Sequence, residues 1–371
     1  MIKILHCIPS MGGGGAERQL CYMANQMSQT GLDVHVAYFQ DGPNIQRLNL
    51  SRANVHRLAC LNNYDPMIIY RLVKLIRKIH PDIVQTWIPQ IDILAGISSI
   101  LTKAPFIISE RASSLAYGNS WKDKLRIAIG KRADAIIANS NQGMDYWFDI
   151  IDKPMTTVIR NGIPFDEILH APKLVLPSMQ IDATNEVILF AGRYDQQKNL
   201  FNLLAALNQV LKTRDKAVAI LFGNGPQKES LINLKDKYEV RDRIKILDYT
   251  RELWNWLKVA DVFVSVSYFE GNPNTVLEAI ASRCPVVISD IPEHREILNE
   301  DSSYFVPVSD TSAIAASIAR VLDRPDEAKR KIENAFISVQ DWSIESVAEK
   351  YTYFYNMLLN TKAKRTSKCA A

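Results

Sequence analysis

Long hydrophobic runs are missing from this 371-residue chain. No stretch reaches the roughly 18 apolar residues that a spanning helix needs, which excludes a multi-span membrane protein. Cysteine is scarce: Cys7, Cys21, Cys60, Cys284 and Cys369 are odd in number, scattered, and form no Cys-x-x-Cys pair. Neither a disulfide scaffold nor a zinc site is expected, and the thiols should stay reduced in a cytoplasm. Residues 1–10 have an apolar core too short and too broken for a signal peptide, so the expected location is cytoplasmic, peripheral at the inner face of the membrane. Strong charge of one sign is also lacking. Lys and Arg number 44 against 40 Asp and Glu, a net of +4, too little to argue for nucleic acid. What remains is the composition of an ordinary soluble protein, 47% hydrophobic and 23% charged. At roughly 150 residues per domain the length suits two or three domains.

The charge is unevenly placed. Residues 1–165 hold 18 basic against 12 acidic side chains, or +6, and the remainder holds 26 against 28, or −2. Two basic clusters lie in the first half: Arg71, Lys74, Arg77 and Lys78, and then Lys122, Lys124, Arg126, Lys131 and Arg132 against Asp123 alone. Each can be an ordinary solvated helix face. Together they favour docking on an anionic membrane surface, with Arg71, Lys74, Lys78, Lys122 and Lys124 as the contact residues.

Short apolar runs alternate with helical patterns from end to end. Strands are expected at 3–9, 34–39, 82–87, 105–109, 133–138 and 156–159, and a helix places Leu20, Met23, Ala24 and Met27 on one face. Residues 166–185 carry Pro172 and Pro177 with no sustained period and read as a linker. The alternation resumes with strands at 187–190, 217–222, 244–247, 262–266 and 285–289, and a helix at Leu200, Leu203, Leu204, Leu207 and Leu211. This repeat of strand and helix implies parallel, doubly wound sheets in an α/β protein. The domains are then 1–165 and 186–342. A last helix over 343–360, N-capped by Ser343, carries Ile344, Val347, Tyr351, Phe354 and Leu358 on one face, and a basic tail over 361–371 reads as disordered.

In such sheets ligands bind beyond the carboxyl ends of the strands. Three loops leave that edge in the second half. Gly192-Arg193 and Lys198, with Asn199 as the expected N-cap, offer a bidentate guanidinium beside a point charge, a suitable diphosphate clamp. Gly223-Asn224-Gly225-Pro226 lets backbone pass close to a ligand. Glu270-Gly271-Asn272-Pro273-Asn274-Thr275-Val276-Leu277-Glu278 runs from a strand into a helix whose first N–H groups suit a phosphate. Two carboxylates beside a phosphate would repel it, so Glu270 and Glu278 suit sugar hydroxyls. In the first half, Gly12-Gly13-Gly14-Gly15-Ala16-Glu17 is not Gly-x-Gly-x-x-Gly, and no Gly-Lys-Ser/Thr follows it, against a dinucleotide enzyme and an NTPase.

Five motifs in this order and spacing resemble retaining glycosyltransferase family 4, the glycosyl transferases group 1, over residues 1 to about 360. They are Gly14-Gly15-Ala16-Glu17, Asn161-Gly162-Ile163, Gly192-Arg193-x4-Lys198, Phe222-Gly223-x-Gly225-Pro226 and Glu270-x7-Glu278. The resemblance implies the GT-B fold, two facing Rossmann-like domains with a C-terminal helix crossing back to the first. It implies that Arg193 and Lys198 grip the donor's diphosphate, Glu278 the ribose and Glu270 the donor sugar. Phosphate would lie on the backbone of Asn274, Thr275 and Val276, with Gly14 and Gly15 abutting it. Many relatives carry a His after the strand at 105–109, where this chain reads Ser109-Glu110-Arg111. Glu110 and Arg111 are therefore the acceptor-side candidates.

The implied reaction is transfer of a hexose or N-acetylhexosamine from a UDP-linked nucleotide-sugar to a saccharide or undecaprenyl-linked acceptor, in cell-surface polysaccharide or lipopolysaccharide assembly. The departing diphosphate and an oxocarbenium-like sugar need stabilising, which two cations and a helix N-terminus supply. No cofactor and no metal are expected, since no Asp-x-Asp sits on a suitable loop. Front-face attack is preferred to a double displacement through Glu110 or Glu270. The alternatives are a sugar-nucleotide epimerase of similar fold, a GDP-mannose-using transferase, and a non-enzymatic sugar-binding relic.

Overall fold

A computed structural model describes residues 1–49, 52–62, 65–148, 150–151, 155–175 and 181–370. It divides into two compact units, one of Met1–Gly162 with Trp342–Ala371 and one of Ile163–Asp341.

The first unit is a parallel sheet of β1 (Lys3–Cys7), β2 (Asp33–Tyr38), β3 (Asn54–Arg57), β4 (Ile83–Thr86), β5 (Phe106–Glu110), β6 (Ala135–Ala138) and β7 (Met155–Val158). Their order is β3-β2-β1-β4-β5-β6-β7. The inner strands are buried almost throughout because helices cover both faces of the sheet. On one face the Gly15–Gln29 helix and the final helix close a core around Leu20, Met23, Met27, Ile4 and Ile107. On the other, Leu72 and Ile76 of the Met67–Ile79 helix and Ile91 and Ala95 of the Pro89–Thr102 helix pack on Leu5, Val84 and Ile108. Strand β3 was not expected: Asn-Val-His-Arg at the sheet edge is short and half exposed, so it lacks an apolar run.

The final helix spans Ile344–Ala370. All five residues expected on its inner face are buried, and Ser343 Oγ accepts from the Ser346 N–H at 3.2 Å, as a cap should. The expected disordered tail is a correction. Residues 361–370 continue the helix because they contain neither Gly nor Pro, and Lys362 Nζ ties it to Asp134 Oδ1 at 2.6 Å.

The second unit is a parallel sheet of β8 (Glu186–Ala191), β9 (Ala217–Phe222), β10 (Ile244–Leu247), β11 (Val262–Ser265), β12 (Val286–Ser289) and β13 (Tyr304–Val306), in the order β10-β9-β8-β11-β12-β13. The three-residue β13 is too short to show a pattern and was not expected. Every leucine expected on the inner face of the Leu200–Thr213 helix is buried. The expected linker needs correction at its start. Phe165–His170 is a helix that buries Ile168, and Lys258 Nζ donates to the Leu169 carbonyl at 2.7 Å, so this stretch belongs to the second unit. Residues 176–180 of that linker, with Pro177, lie outside the described residues. In each sheet the strand order reverses beside the first strand, between β1 and β4 and between β8 and β11. A doubly wound sheet opens a crevice at such a point.

Candidate functional site

The loops that follow β8 and β11 leave neighbouring strands and are latched together. Gln197 Nε2 donates to the Phe269 carbonyl at 2.8 Å, and the Tyr268 N–H donates to the Gln197 carbonyl at 2.9 Å. Asn199 stands at the start of the Leu200–Thr213 helix but does not cap it through its side chain. Its backbone is left-handed (φ 55°), and its Nδ2 donates to the carbonyls of Val266 at 3.1 Å and Val308 at 2.6 Å. Asn tolerates that backbone better than most residues, and the amide does more for the crevice by holding three strand ends.

This frame brings Lys198 and Glu270 together. Lys198 Nζ lies 2.6 Å from Glu270 Oε1, and Ser267 Oγ donates to the same oxygen at 2.7 Å. Both side chains are largely buried, 18% and 9% exposed. Burial alone would raise the Glu270 pKa. The Lys198 charge and the hydrogen bonds from Lys198 and Ser267 override it and hold the carboxyl below its ordinary value. Glu270 is therefore an anion that accepts hydrogen bonds. Behind it, Ser289 Oγ donates to the Ser267 carbonyl at 2.7 Å, and His294 Nδ1 lies 2.8 Å from the Ser289 carbonyl, which fixes the proton on Nδ1. His294 is fully buried with Nε2 unpaired, and burial lowers its pKa. The sequence reading missed Ser267, Ser289 and His294, because a lone Ser or His inside an apolar stretch gives no periodic signal.

Arg193 behaves differently. Its side chain is 72% exposed, with Nε 3.4 Å from Asp195 Oδ2, so it projects into solvent at the same strand edge. Gly223 and Gly225 are needed for a reason other than ligand approach. A Cβ on Gly223 would overlap the Gly192 carbonyl, and one on Gly225 the Tyr194 carbonyl, so these glycines let the loop after β9 pack against the loop after β8. The Asn274–Ala281 helix starts after Pro273. Val276 is buried in the core, which leaves only its backbone for a ligand. Asn272 and Glu278 are buried, Asn274 and Thr275 half-buried, and Gly271 borders them.

In the first unit, Glu110, the last residue of β5, is corrected from acceptor contact to internal scaffold. Glu110 is fully buried. Its Oε2 accepts from Arg126 Nη2 at 2.7 Å and Trp147 Nε1 at 2.8 Å, and its Oε1 from the N–H groups of Arg111 and Ala112 and from the Tyr117 hydroxyl. So saturated a carboxylate is neither a nucleophile nor a sugar ligand. Arg111 donates to Asn161 Oδ1 at 2.9 Å and to the Tyr351 hydroxyl at 2.7 Å, with its guanidinium 4.1 Å from the centre of the Trp87 ring. Gln19 bonds Gly162 in both directions at 2.9 Å, so the Asn161-Gly162 motif closes this unit. Gly14 precedes the Gly15–Gln29 helix, and a Cβ there would overlap the Glu17 carboxylate. That carboxylate accepts from Ser10 Oγ at 3.2 Å, and its pKa is raised by burial.

The basic clusters are thinned. Arg126 is an internal ion, 2% exposed, with Nε 2.7 Å from Asp92 Oδ2. Arg71 is bonded to the Ala59 carbonyl and lies 3.7 Å from Asp65. Lys74, Arg77, Lys78, Lys124, Lys131 and Arg132 remain exposed, and Lys122 is half-buried. Cys7, Cys21, Cys60 and Cys284 are free thiols. Among the described residues, no three His, Cys, Asp or Glu side chains cluster as metal ligands, and no helix is long and apolar enough to cross a membrane.

Comparison with known proteins agrees with this architecture. The chain is 24% identical over 352 residues to the N-acetylgalactosamine-N,N'-diacetylbacillosaminyl-diphospho-undecaprenol 4-alpha-N-acetylgalactosaminyltransferase of Campylobacter jejuni, covering 89% of this chain and 92% of that protein. It is 27% identical over 248 residues to an uncharacterized glycosyltransferase of Methanocaldococcus jannaschii, a match over 62% of this chain that spans only 61% of that relative. The crystal structure of HepE from Anabaena in complex with UDP-glucose superposes with a TM-score of 0.84 at 18% identity, over 96% of this chain and all of that one. The Glycosyltransferase Family 4 profile matches residues 13–167 and the Glycosyl transferases group 1 profile residues 176–337. With two parallel α/β units of this topology, the chain belongs to glycosyltransferase family 4 and has the GT-B fold.

Proposed function

We propose that this protein is a retaining, metal-independent hexosyltransferase. It moves a hexose or N-acetylhexosamine from a UDP-linked donor to a saccharide on an undecaprenyl diphosphate carrier, at an anionic membrane surface, in cell-surface polysaccharide or lipopolysaccharide assembly. The observation that carries this reading is the Lys198–Glu270 pair, held at 2.6 Å where the strand order of the second sheet reverses. An ammonium and a carboxylate fixed side by side suit a ligand that presents phosphate and sugar hydroxyls together. The Campylobacter relative is named for a diphospho-undecaprenol acceptor and HepE is bound to UDP-glucose, which supports these two substrate classes.

In this reading Lys198 meets the diphosphate with the protons that Glu270 leaves unused, and Arg193 swings in from solvent as a bidentate partner. The first N–H groups of the Asn274–Ala281 helix add positive potential. The bond from the anomeric carbon to the diphosphate oxygen breaks as the acceptor hydroxyl attacks from the same face. The acceptor's proton passes to the departing oxygen, so the diphosphate leaves protonated. Charge on the leaving group is met by groups already in place, the most effective form of transition-state stabilisation. Glu270 holds sugar hydroxyls, Glu278 the ribose, and no bound metal is required.

Thermal shift with UDP-glucose, UDP-galactose, UDP-N-acetylglucosamine and GDP-mannose tests the donor class. Ligand at ~100 times its Kd adds about 2.7 kcal/mol, enough to read. Stabilisation by a UDP-sugar and not by GDP-mannose is the expected result. The reverse overturns the UDP assignment, and full activity lost to EDTA overturns the metal-independent one.

A further inference from the structure

Three helices, Met67–Ile79, Pro89–Thr102 and Trp121–Gly130, lie side by side on one face of the first sheet. Ser98 Oγ contacts the Ile69 carbonyl at 3.4 Å on one side of the middle helix, and Gly96 accommodates Ile129 on the other. Such a layer ordinarily places its charges on the outward side of its middle helix. Here the opposite holds. Ile93, Ile97 and Leu101 follow at i, i+4 and i+8 on the outward stripe. The two isoleucines are only half-buried and Leu101 is 59% exposed. The sole charged residue of that helix, Asp92, is fully buried against Arg126.

The flanking helices carry the charge, and nearly all of it is positive. Outward on the first are Tyr70 at 60% exposure and the exposed Lys74, Arg77 and Lys78. Outward on the third are Trp121 at 68% exposure and Lys124, followed by Lys131. The third helix has one acid, Asp123, which is used in the capping box with Ser120. The layer is therefore an apolar stripe between two basic margins, with an exposed aromatic ring on each margin and a single half-buried surface acid, Asp123, engaged in a helix cap.

We infer that this layer is a membrane-inserting face, in which the middle helix sinks its isoleucine stripe below the headgroups of an anionic bilayer while lysines on both sides reach the phosphates. The inference rests on the proposed lipid-linked acceptor but goes beyond charge attraction, because Ile93, Ile97 and Leu101 add a contribution that salt does not screen. A bilayer matches the pattern better than a protein partner would. Tyr and Trp rings suit the water–lipid boundary, long basic side chains snorkel to it, and a face whose one acid is spent on a helix cap complements a uniformly negative surface.

Flotation of the full chain with phosphatidylglycerol-containing or pure phosphatidylcholine vesicles, with tryptophan emission recorded, tests this. Binding to the anionic vesicles is expected, with a blue-shifted emission that Trp121→Phe removes. Charge attraction is screened over about 8 Å at physiological salt, so raising salt after docking should leave a substantial bound fraction. Ile97→Asn should cut partitioning tenfold or more, and Leu101→Asn, at a more exposed position, should act in the same direction. UDP-glucose binding in the same variants reports an intact donor site. Complete release by salt together with indifference to Ile97→Asn and Leu101→Asn overturns insertion and leaves adsorption by charge. Equal binding to both vesicle types overturns the anionic requirement, and dimerisation suppressed by Ile97→Asn in place of vesicle binding overturns the face's assignment to lipid. A protein that binds vesicles as described but transfers no sugar keeps this inference and loses the proposed function. One that transfers sugar to a soluble acceptor without binding vesicles does the reverse.

Discussion

The Arg111 guanidinium donates to the Tyr351 hydroxyl at 2.7 Å, and so ties the loop after β5 to the C-terminal helix 240 residues further along the chain. The same guanidinium bonds Asn161 and stacks on Trp87, so one planar cation joins four segments of the first unit.

Arg111→Ala should therefore weaken that unit by about 1–3 kcal/mol, the cost of leaving buried polar partners unmet. Arg111→Lys should recover little, since a point charge cannot bridge two acceptors and stack as a planar fork does. Thermal unfolding checks both. UDP-sugar affinity should stay unchanged in each variant, because the proposed donor loops belong to the other unit.

Lys198 and Arg193 should separate stability from turnover. Lys198→Ala leaves the buried Glu270 carboxylate unpaired, which costs ~3–5 kcal/mol and also removes transfer. Arg193→Ala truncates a solvent-exposed side chain, so stability should change by less than about 0.5 kcal/mol. Turnover in that variant should nevertheless fall by orders of magnitude. Near-normal transfer by Arg193→Ala would remove it from the diphosphate clamp.

Glu110→Gln tests the scaffold reading of the Ser109-Glu110-Arg111 loop. It strips the charge that pairs with buried Arg126, so unfolding should come several degrees lower, at ~2–4 °C per kcal/mol for a domain of this size. The fraction still folded should keep kcat within about threefold of the parent. A kcat collapse in folded protein would return Glu110 to the chemistry.

His6 predicts an acid-side loss of stability. Burial, helped by the Arg111 charge, pushes its pKa from an ordinary 6.5 down to about 3. The unfolded chain therefore takes up a proton that the folded one refuses, and stability falls by about 1.4 kcal/mol per pH unit as pH drops below 6.5 toward 3. Asp92, pushed up to about 6 by burial, acts in the opposite sense over much of that window: it keeps its proton when folded, a contribution lost as pH rises through its folded value. The comparison is thus between the parent and His6→Gln. Denaturant unfolding between pH 5 and pH 7 should show stability rising less with pH, or falling more, in the variant than in the parent, and identical slopes would reject the assignment.

Much of this was legible in the sequence, and for physical reasons. The alternation of apolar runs with 3.6-residue periods follows from burying both faces of a parallel sheet, and it placed every inner strand. The stripe Ile344, Val347, Tyr351, Phe354 and Leu358 announced the returning helix in the same way. The loops after β8 and β11 stood out because charged residues at a strand's carboxyl end have few structural uses. Glu110 shows where such reading stops: a carboxylate at a strand's end looks identical whether it faces ligand or five internal donors. Arg126 sits in a basic run and reads as surface, because its partners Asp92 and Glu110 are distant in sequence. The edge strands β3 and β13 failed for a simpler reason, being too short to carry a period.

The measurement that bears most directly on the central claim is the anomeric configuration of the product. The protein should be incubated with an α-linked UDP-sugar and an undecaprenyl-diphosphate saccharide, and the new linkage read from its proton NMR coupling. Front-face transfer at the Lys198–Glu270 site predicts an α-linkage, formed in the parent and lost in Arg193→Ala. A β-linkage, or equal transfer by both proteins, would contradict the account.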